Sequence, residues 1–312
     1  YRQRVRDIQQ HLRQIPLQQR VYMGMKEQAH DVLYAPLDIR HEVGPAFDVL
    51  YKPVVKDGQS GTRIDALLTA KGFRNYFEPN SHDLTELAMI DQWTLGARAR
   101  IDYSEVDKQA LAQRIRALYN ADYIDTWRRS LGLLEVVDFD NISQAVTVLG
   151  SVTSPAAPLR RLVETVRDNS TIYPEAARTE EGKQVPILSS EEASREQAAV
   201  ISRAFAAMSG LLVAKGDTPP FLDGTMLAIG DVYDTVRAVQ DSPDSGKAAL
   251  EGVLARFNLK GTDSIGNLQR VAAGLPEPLN RQVKKLAGES SHILLIEALR
   301  ELERRWEADV YG

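Results

Sequence analysis

Apolar residues along this chain recur mostly every three or four positions, the spacing that lays one side of a helix against a core. Residues 2–14 and 17–33 read as two helices around IPLQQ, the second with Leu17, Val21, Met25 and Ala29 on one face. Between Ala35 and Phe77 the period changes. In LDIRHEV the residues Leu37, Ile39, His41 and Val43 alternate, and KDGQSGTRI sets a glycine-rich turn between short apolar pieces. A small hairpin or meander is therefore predicted within 36–77. Helical spacing returns at Ser81, where SHDLTELAMIDQWTL places Leu84, Leu87, Ala88 and Ile90 mostly to one side.

From Ser104 onward the chain is punctuated by helix starts. Ser104 with Asp107 three positions on is a capping-box signature. It opens a long helix through Leu111, Ile115, Tyr119, Tyr123, Trp127, Leu131 and Leu134. Asn141 caps a short helix expected to stop at Gly150, and Ser154 with Pro155 starts the next. Residues 169–188 have no apolar period and two prolines, which predicts a domain boundary or a long surface loop. Beyond them SSEE caps a helix through Ile201, Phe205, Met208 and Leu212, with further helices near 221–240, 244–257, 263–273 and 278–287. A final helix, SHILLIEALRELERRWEADVY, carries Leu295, Leu299, Leu302, Trp306 and Val310 as a stripe that needs a partner. Glu301 and Arg305 are spaced for a pair on its wet face. The expectation is a mainly α, multi-helix protein in two subdomains with a small β element. Its parts are a helical domain over 1–168 that contains the β insertion, a connection over 169–188, and a C-terminal helical domain over 189–312.

Composition narrows the function classes. The 312 residues carry a formal net charge of −5 and no cysteine. The mild negative charge argues against a nucleic-acid partner, whose footprint would be a basic face. Without cysteine there are no disulfides, thiolate metal sites or thiol nucleophiles. No run approaches the ~18 to 20 apolar residues of a membrane-spanning helix. The chain begins at Tyr1 with no methionine or signal-like segment, and reads as a piece of something longer.

A search for chemistry leaves every site class empty: no catalytic, cofactor-binding or metal residue is assigned, and partner-binding residues stay unknown. Gly246-Lys247 precedes a helix, but Asp241 stands where a phosphate loop needs its first glycine and Ala248 where it needs Ser or Thr. The histidines, His11, His30, His41, His82 and His292, show no metal-ligand spacing. Serines and threonines concentrate at helix starts, where capping explains them. The aromatic stripe Tyr119, Tyr123, Trp127 steps by four into Leu131, which is the form of a packed helix–helix seam.

LYNADYIDTWRRSLGLLEVVDFDNISQAVTVLGSVTSPAAPLRRLVETVRDNSTI resembles the IcmF-related region of the TssM/IcmF family, inner-membrane components of bacterial type VI secretion systems. The features are Tyr119, Tyr123, Trp127, Asp138, Ser154-Pro155 and Leu159-Leu162-Val163. Upstream, Ile15, Pro16, Leu17, Arg20, Val21 and Tyr22 match an IP-L-x-x-R-V-Y segment. LLTAKGF at 67–73 is similar to the family's L-F-T-x-x-G-Y turn, and DQWTLG at 91–96 to its D-W-x-L-G segment. Downstream, Arg305, Trp306, Val310 and Tyr311 match R-W-x-x-x-V-Y. One departure is Ile64-Asp65-Ala66, where the family has Ile-Pro-Gly. The resemblance implies a non-enzymatic scaffold without cofactors, a periplasmic helical pillar of an inner-membrane protein. Its implied partners are the outer-membrane lipoprotein TssJ, mainly through a region after Gly312, TssL, and further copies of itself, with membrane anchoring supplied by segments absent from this chain. The alternatives are a helical enzyme with an unrecognised carboxylate site and a cytosolic helical adaptor.

Overall fold

The structure, a computed structural model, describes residues 15–33, 35–53, 55–56, 59–81, 104–173, 189–258 and 263–311. The helices expected over 2–14 and after Ser81, His11, His82 and most of the 169–188 connection lie outside these residues. The fold is mainly α. In chain order the principal elements are α1 (Leu17–Val32), β1 (Leu37–Asp38), α2 (Ile39–Val43), α3 (Phe47–Leu50), β2 (Val55–Lys56), β3 (Gln59–Ser60) and β4 (Arg63–Ile64). There follow α4 (Glu105–Gly132), α5 (Ile142–Thr153), α6 (Pro158–Ser170), α7 (Ser189–Ala204), α8 (Phe221–Gln240), α9 (Ser245–Phe257), α10 (Ser264–Ala273) and α11 (Leu279–Tyr311). Short helical turns join them, among them Ala66–Leu68, Ala70–Gly72 and a wide turn, Phe73–Phe77.

The β element is smaller than its alternation suggested. LDIRHEV gives only the two residues of β1, which pair antiparallel with β4, Leu37 opposite Ile64. The chain then coils into α2. Ile39 and Val43 are four apart, so a helical turn buries both while His41 stays exposed, and a short apolar run fits either period. β2 and β3 form a second antiparallel pair, Val55 opposite Ser60.

Local start signals hold where both partners are near in sequence. Ser104 Oγ accepts from the Asp107 backbone N–H at 3.2 Å, and Asp107 Oδ2 accepts from the Ser104 backbone N–H at 3.2 Å. Asn141 Oδ1 accepts from Gln144 N–H at 2.9 Å and opens α5. Four expectations are corrected. α5 runs through Gly150 to Thr153. A Cβ on Gly150 would lie 3.0 Å from the Tyr233 ring, so that glycine marks the close approach of α8 and not a helix end. Ser154 terminates α5, and α6 begins at Pro158, the later proline. The helix through Phe205 breaks after Ala204 and resumes in two short turns, Ala206–Ser209 and Gly210–Leu212. The two helices expected after residue 278 are one 33-residue helix, α11, running through Gly288.

The chain forms two compact units, neither contiguous in sequence. One comprises residues 1–38, 63–129 and 167–206; the other comprises 39–62, 130–166 and 207–312. This differs from a division at 169–188, because residues on both sides of that segment pack into the first unit. The described start of the expected loop is itself packed: Ile172 is fully buried and its carbonyl accepts from Arg74 at 3.0 Å.

The first unit is built on the aromatic face of α4. Its core holds Val21, Met25 and Ala29 of α1, Leu67, Leu68, Phe73 and Phe77, and Ala198 and Ile201 of α7. In the second unit an isolated β-bridge joins Tyr51 to Val136, and α5 packs on α8, α8 on α10, and both α9 and α10 on α11. Its core includes Val148, Leu149, Val152, Ile229, Val232, Leu268 and Leu286. Tyr51 donates to Gln282 Oε1 at 3.0 Å, and Gln282 Nε2 donates to the Leu134 carbonyl at 3.3 Å, so the polar tips of these two side chains are satisfied.

Candidate functional site

The aromatic stripe of α4 is core. Tyr119, Tyr123 and Trp127 are 0 to 1% exposed, which leaves no face for a ligand. Their polar tips all end on backbone carbonyls. Tyr119 donates to Leu67 O at 2.9 Å, Trp127 Nε1 to Leu68 O at 2.8 Å, and Tyr123 to Asn169 O at 2.5 Å. Tyr119 also stacks on Phe77 with ring centroids 3.7 Å apart. Burial pushes the hydroxyl pKa values of Tyr119 and Tyr123 up, far from any acid–base role.

The turn that receives these donors explains two of the sequence motifs. Asp65 accepts from Leu67 N–H at 2.9 Å, so the residue standing in place of the family's proline acts as a cap. Thr69 Oγ1 accepts from Gly72 N–H at 3.0 Å and donates to Ala66 O at 2.8 Å. A Cβ on Gly72 would sit 2.0 Å from the Ala66 carbonyl oxygen, so no other residue fits LTAKG at its fifth position. Asn169 Oδ1 accepts from Ala70 N–H at 3.3 Å, which ties the end of α6 to the same turn. In the upstream motif, Arg20 donates to Ile15 O at 2.9 Å, and Tyr22 donates to Asp122 Oδ2 at 2.7 Å beside Lys26 on the same oxygen. These motif residues hold the first unit together.

The remaining chemical candidates have structural roles. At Gly246-Lys247, Asp244 Oδ1 accepts from Lys247 N–H at 2.9 Å, so a carboxylate already fills the helix start where a phosphate would bind. His30, His41 and His292 are exposed. Among the described residues no group of three or more histidines and carboxylates could hold a metal ion. Asp138, one of the motif residues, lies between Lys285 and Lys52, each Nζ 2.6 Å away, a pairing the sequence does not indicate. Hydrogen bonds from Lys285 and then Lys52 hold its carboxyl at about 2. Nothing local signals this trio, because its members are far apart in the chain.

The surface that stands out is on α11. Leu295, Leu299, Leu302, Trp306 and Val310 are 42 to 68% exposed, a continuous apolar stripe beside the packed face of Ile293, Leu294 and Ala298. From Leu302 to Val310 every residue of the helix is exposed. Leu302, Glu303, Trp306 and Glu307 line a shallow groove of about 420 Å³. Glu301 is paired with Arg305 as expected, at 2.6 Å, but on the packed face and not the wet one: it is 3% exposed and also holds Arg304 at 2.7 Å. Hydrogen bonds from Arg304 and then Arg305 keep its carboxyl at about 2. An open apolar groove of this kind suits a protein partner better than a small molecule, which would need a concave pocket.

Comparison with known proteins agrees with the fold and the motifs. Residues 2–171 match the family described as "IcmF-related: Intracellular multiplication and human macrophage-killing". The type VI secretion system component TssM1 of Pseudomonas aeruginosa is 30% identical over 164 residues, which cover 52% of this chain and 14% of that protein. Among solved structures, a chain of a "Type VI secretion system membrane core complex" superposes with a TM-score of 0.67 over 94% of this chain at 15% identity. A chain of a "Type VI membrane complex" does so at 0.55 over 95%, with 16% identity. This chain spans 53% and 52% of those two chains. Matched over more than half its length, the chain belongs to the TssM/IcmF family through its IcmF-related region.

Proposed function

We propose that this chain is a non-enzymatic structural segment of a type VI secretion membrane complex, a periplasmic helical pillar between the inner membrane and an outer-membrane lipoprotein. One observation carries the reading: a family match over residues 2–171 coincides with the fold of a type VI membrane core complex chain over 94% of the sequence. Two features are in keeping with it. The residues of the recognisable motifs bond to one another and to backbone groups, as a scaffold requires. The exposed stripe of α11 offers the broad apolar surface through which scaffolds associate. No helix among the described residues is long and apolar enough to cross a membrane. The partners are TssJ, met mainly beyond Gly312, TssL, and further copies of the chain.

Calorimetry with TssJ tests this division. The 312-residue chain should bind the lipoprotein weakly, and a form extended past Gly312 at least tenfold more tightly. Equal tight binding by the short form would move the contact onto these helices. Absence of binding by both would remove TssJ as the partner.

A further inference from the structure

α7 is held differently from the other long helices. Its buried side chains among the described residues are Ser194, Gln197, Ala198 and Ile201, so one large aliphatic residue anchors 16 residues of helix. Val200 is exposed. α8, by contrast, buries Leu222, Ile229, Val232, Val236 and Val239. A helix in a folded protein draws most of its stability from the apolar face it packs, and α7 has little of one.

The polar contacts between α7 and α4 are long. Asn120 Nδ2 donates to Gln197 O at 3.4 Å, Gln197 Nε2 to Asn120 Oδ1 at 3.4 Å, and Arg128 Nη2 to Ala204 O at 3.5 Å. Strong bonds of this kind span roughly 2.7 to 3.2 Å. The partners advance together along both helices, from Asn120 to Arg128 and from Gln197 to Ala204, which sets the pair parallel and in one register. Ser202 adds a short bond to Ser170 O at 2.7 Å, and the Arg195 guanidinium lies 5.0 Å from the Tyr173 ring centre. The aromatic stripe of α4 does not lean on these contacts. Tyr119, Tyr123 and Trp127 donate to Leu67, Asn169 and Leu68, none of them in α7. A buried polar pair specifies where a helix sits more than it adds to how firmly it sits. We propose that α7 is a releasable strap, which leaves α4 as a unit and returns to the same register while α4 and the 66–72 turn stay folded.

The chain has no cysteine, so a single introduced thiol reports the opening. Ala198 of α7, Ala70 of the first unit and Ala145 of α5 are all 0 to 3% exposed. Each is replaced in turn by cysteine in the full chain, and the rate of reaction with Ellman's reagent is measured. Ala198→Cys should react at least about a hundredfold faster than Ala70→Cys or Ala145→Cys. Adding Gln197→Leu alone should speed it further, because buried Asn120 loses its amide partner. Adding Asn120→Leu with Gln197→Leu should slow it at least about tenfold, since two apolar side chains then replace a weak polar pair. Hydrogen exchange of the unsubstituted chain gives a second reading: α7 amides should exchange at least about a hundredfold faster than those of α4 and α5. Equal rates for the three thiols, or equal protection of α7 and α4, would overturn the proposal, because α7 would then open only with the whole unit. A fast thiol beside protected amides would show the substitution itself loosening the helix, and overturns it equally. So would a double leucine variant that reacts faster than its parent, which would make the amide pair the main hold on α7.

Discussion

Trp127 shows how one side chain serves two kinds of bonding at once. Its ring fills the core of the first unit, and its N–H satisfies the Leu68 carbonyl at 2.8 Å. The two roles separate by substitution. Trp127→Ala should cost about 3 to 5 kcal/mol, the penalty for emptying a buried aromatic site. Trp127→Phe keeps most of the ring volume but leaves Leu68 O without its donor, and should cost about 1 to 3 kcal/mol. Urea unfolding of the two variants checks the order; a Trp127→Phe variant as stable as the parent would mean the hydrogen bond contributes nothing. The packing role of this residue was legible in the sequence, because steps of four pass smoothly from Tyr119 into Leu131. Its acceptor was not, since the Leu68 carbonyl lies 59 residues away and no local pattern encodes it. The same holds for Gly150, which reads as a helix end until Tyr233 is seen beside it.

Among the elements, the Ser104 and Asn141 starts are legible from local signals, whereas Ser154-Pro155 is not, because Ser154 ends α5 and α6 begins at Pro158. The Ser104–Asp107 box and the Asn141 cap each lie within one turn. The sequence suggests two helices after residue 278, yet Leu286, Ala287, Ser290 and Ile293 are all buried and tertiary packing carries one helix through. The stripe on its outer face is legible in the sequence, whereas Glu301 lies on the packed face and not the wet one its spacing suggests. That burial has a consequence for acid stability. A carboxyl lowered from 4.5 to about 2 by Arg304 and then Arg305 stabilises the fold fully above its unfolded value. The contribution is lost progressively as pH falls from 4.5 toward 2. Glu301→Gln should therefore lower the melting temperature at pH 7, and the two proteins should converge as pH approaches 2. Thermal scans across that range decide it; a constant difference would show that packing alone accounts for the loss.

For the whole molecule, the interleaving of the two units changes what a cut would do. Residues 169–188 offer trypsin Arg178 and Lys183 in an aperiodic stretch. The first unit nevertheless draws on both sides: Ser202 donates to Ser170 O at 2.7 Å, and Ala198 and Ile201 enter the core around α4. Nicked protein should run as two bands in denaturing gels and as one species in gel filtration. Two separated folded pieces would restore the simple division at that segment. The interleaving also bears on timing. Residues 17–32 form part of a core that is incomplete until α7 exists, about 170 residues later in the chain. At the ~5 to 20 residues per second of ribosomal synthesis, α1 waits on the order of ten seconds or more for its partners. During that interval the core that Val21 and Met25 enter lacks Ala198 and Ile201. A nascent chain of this protein should accordingly depend on chaperones early, and release them only once Ala206 has been made.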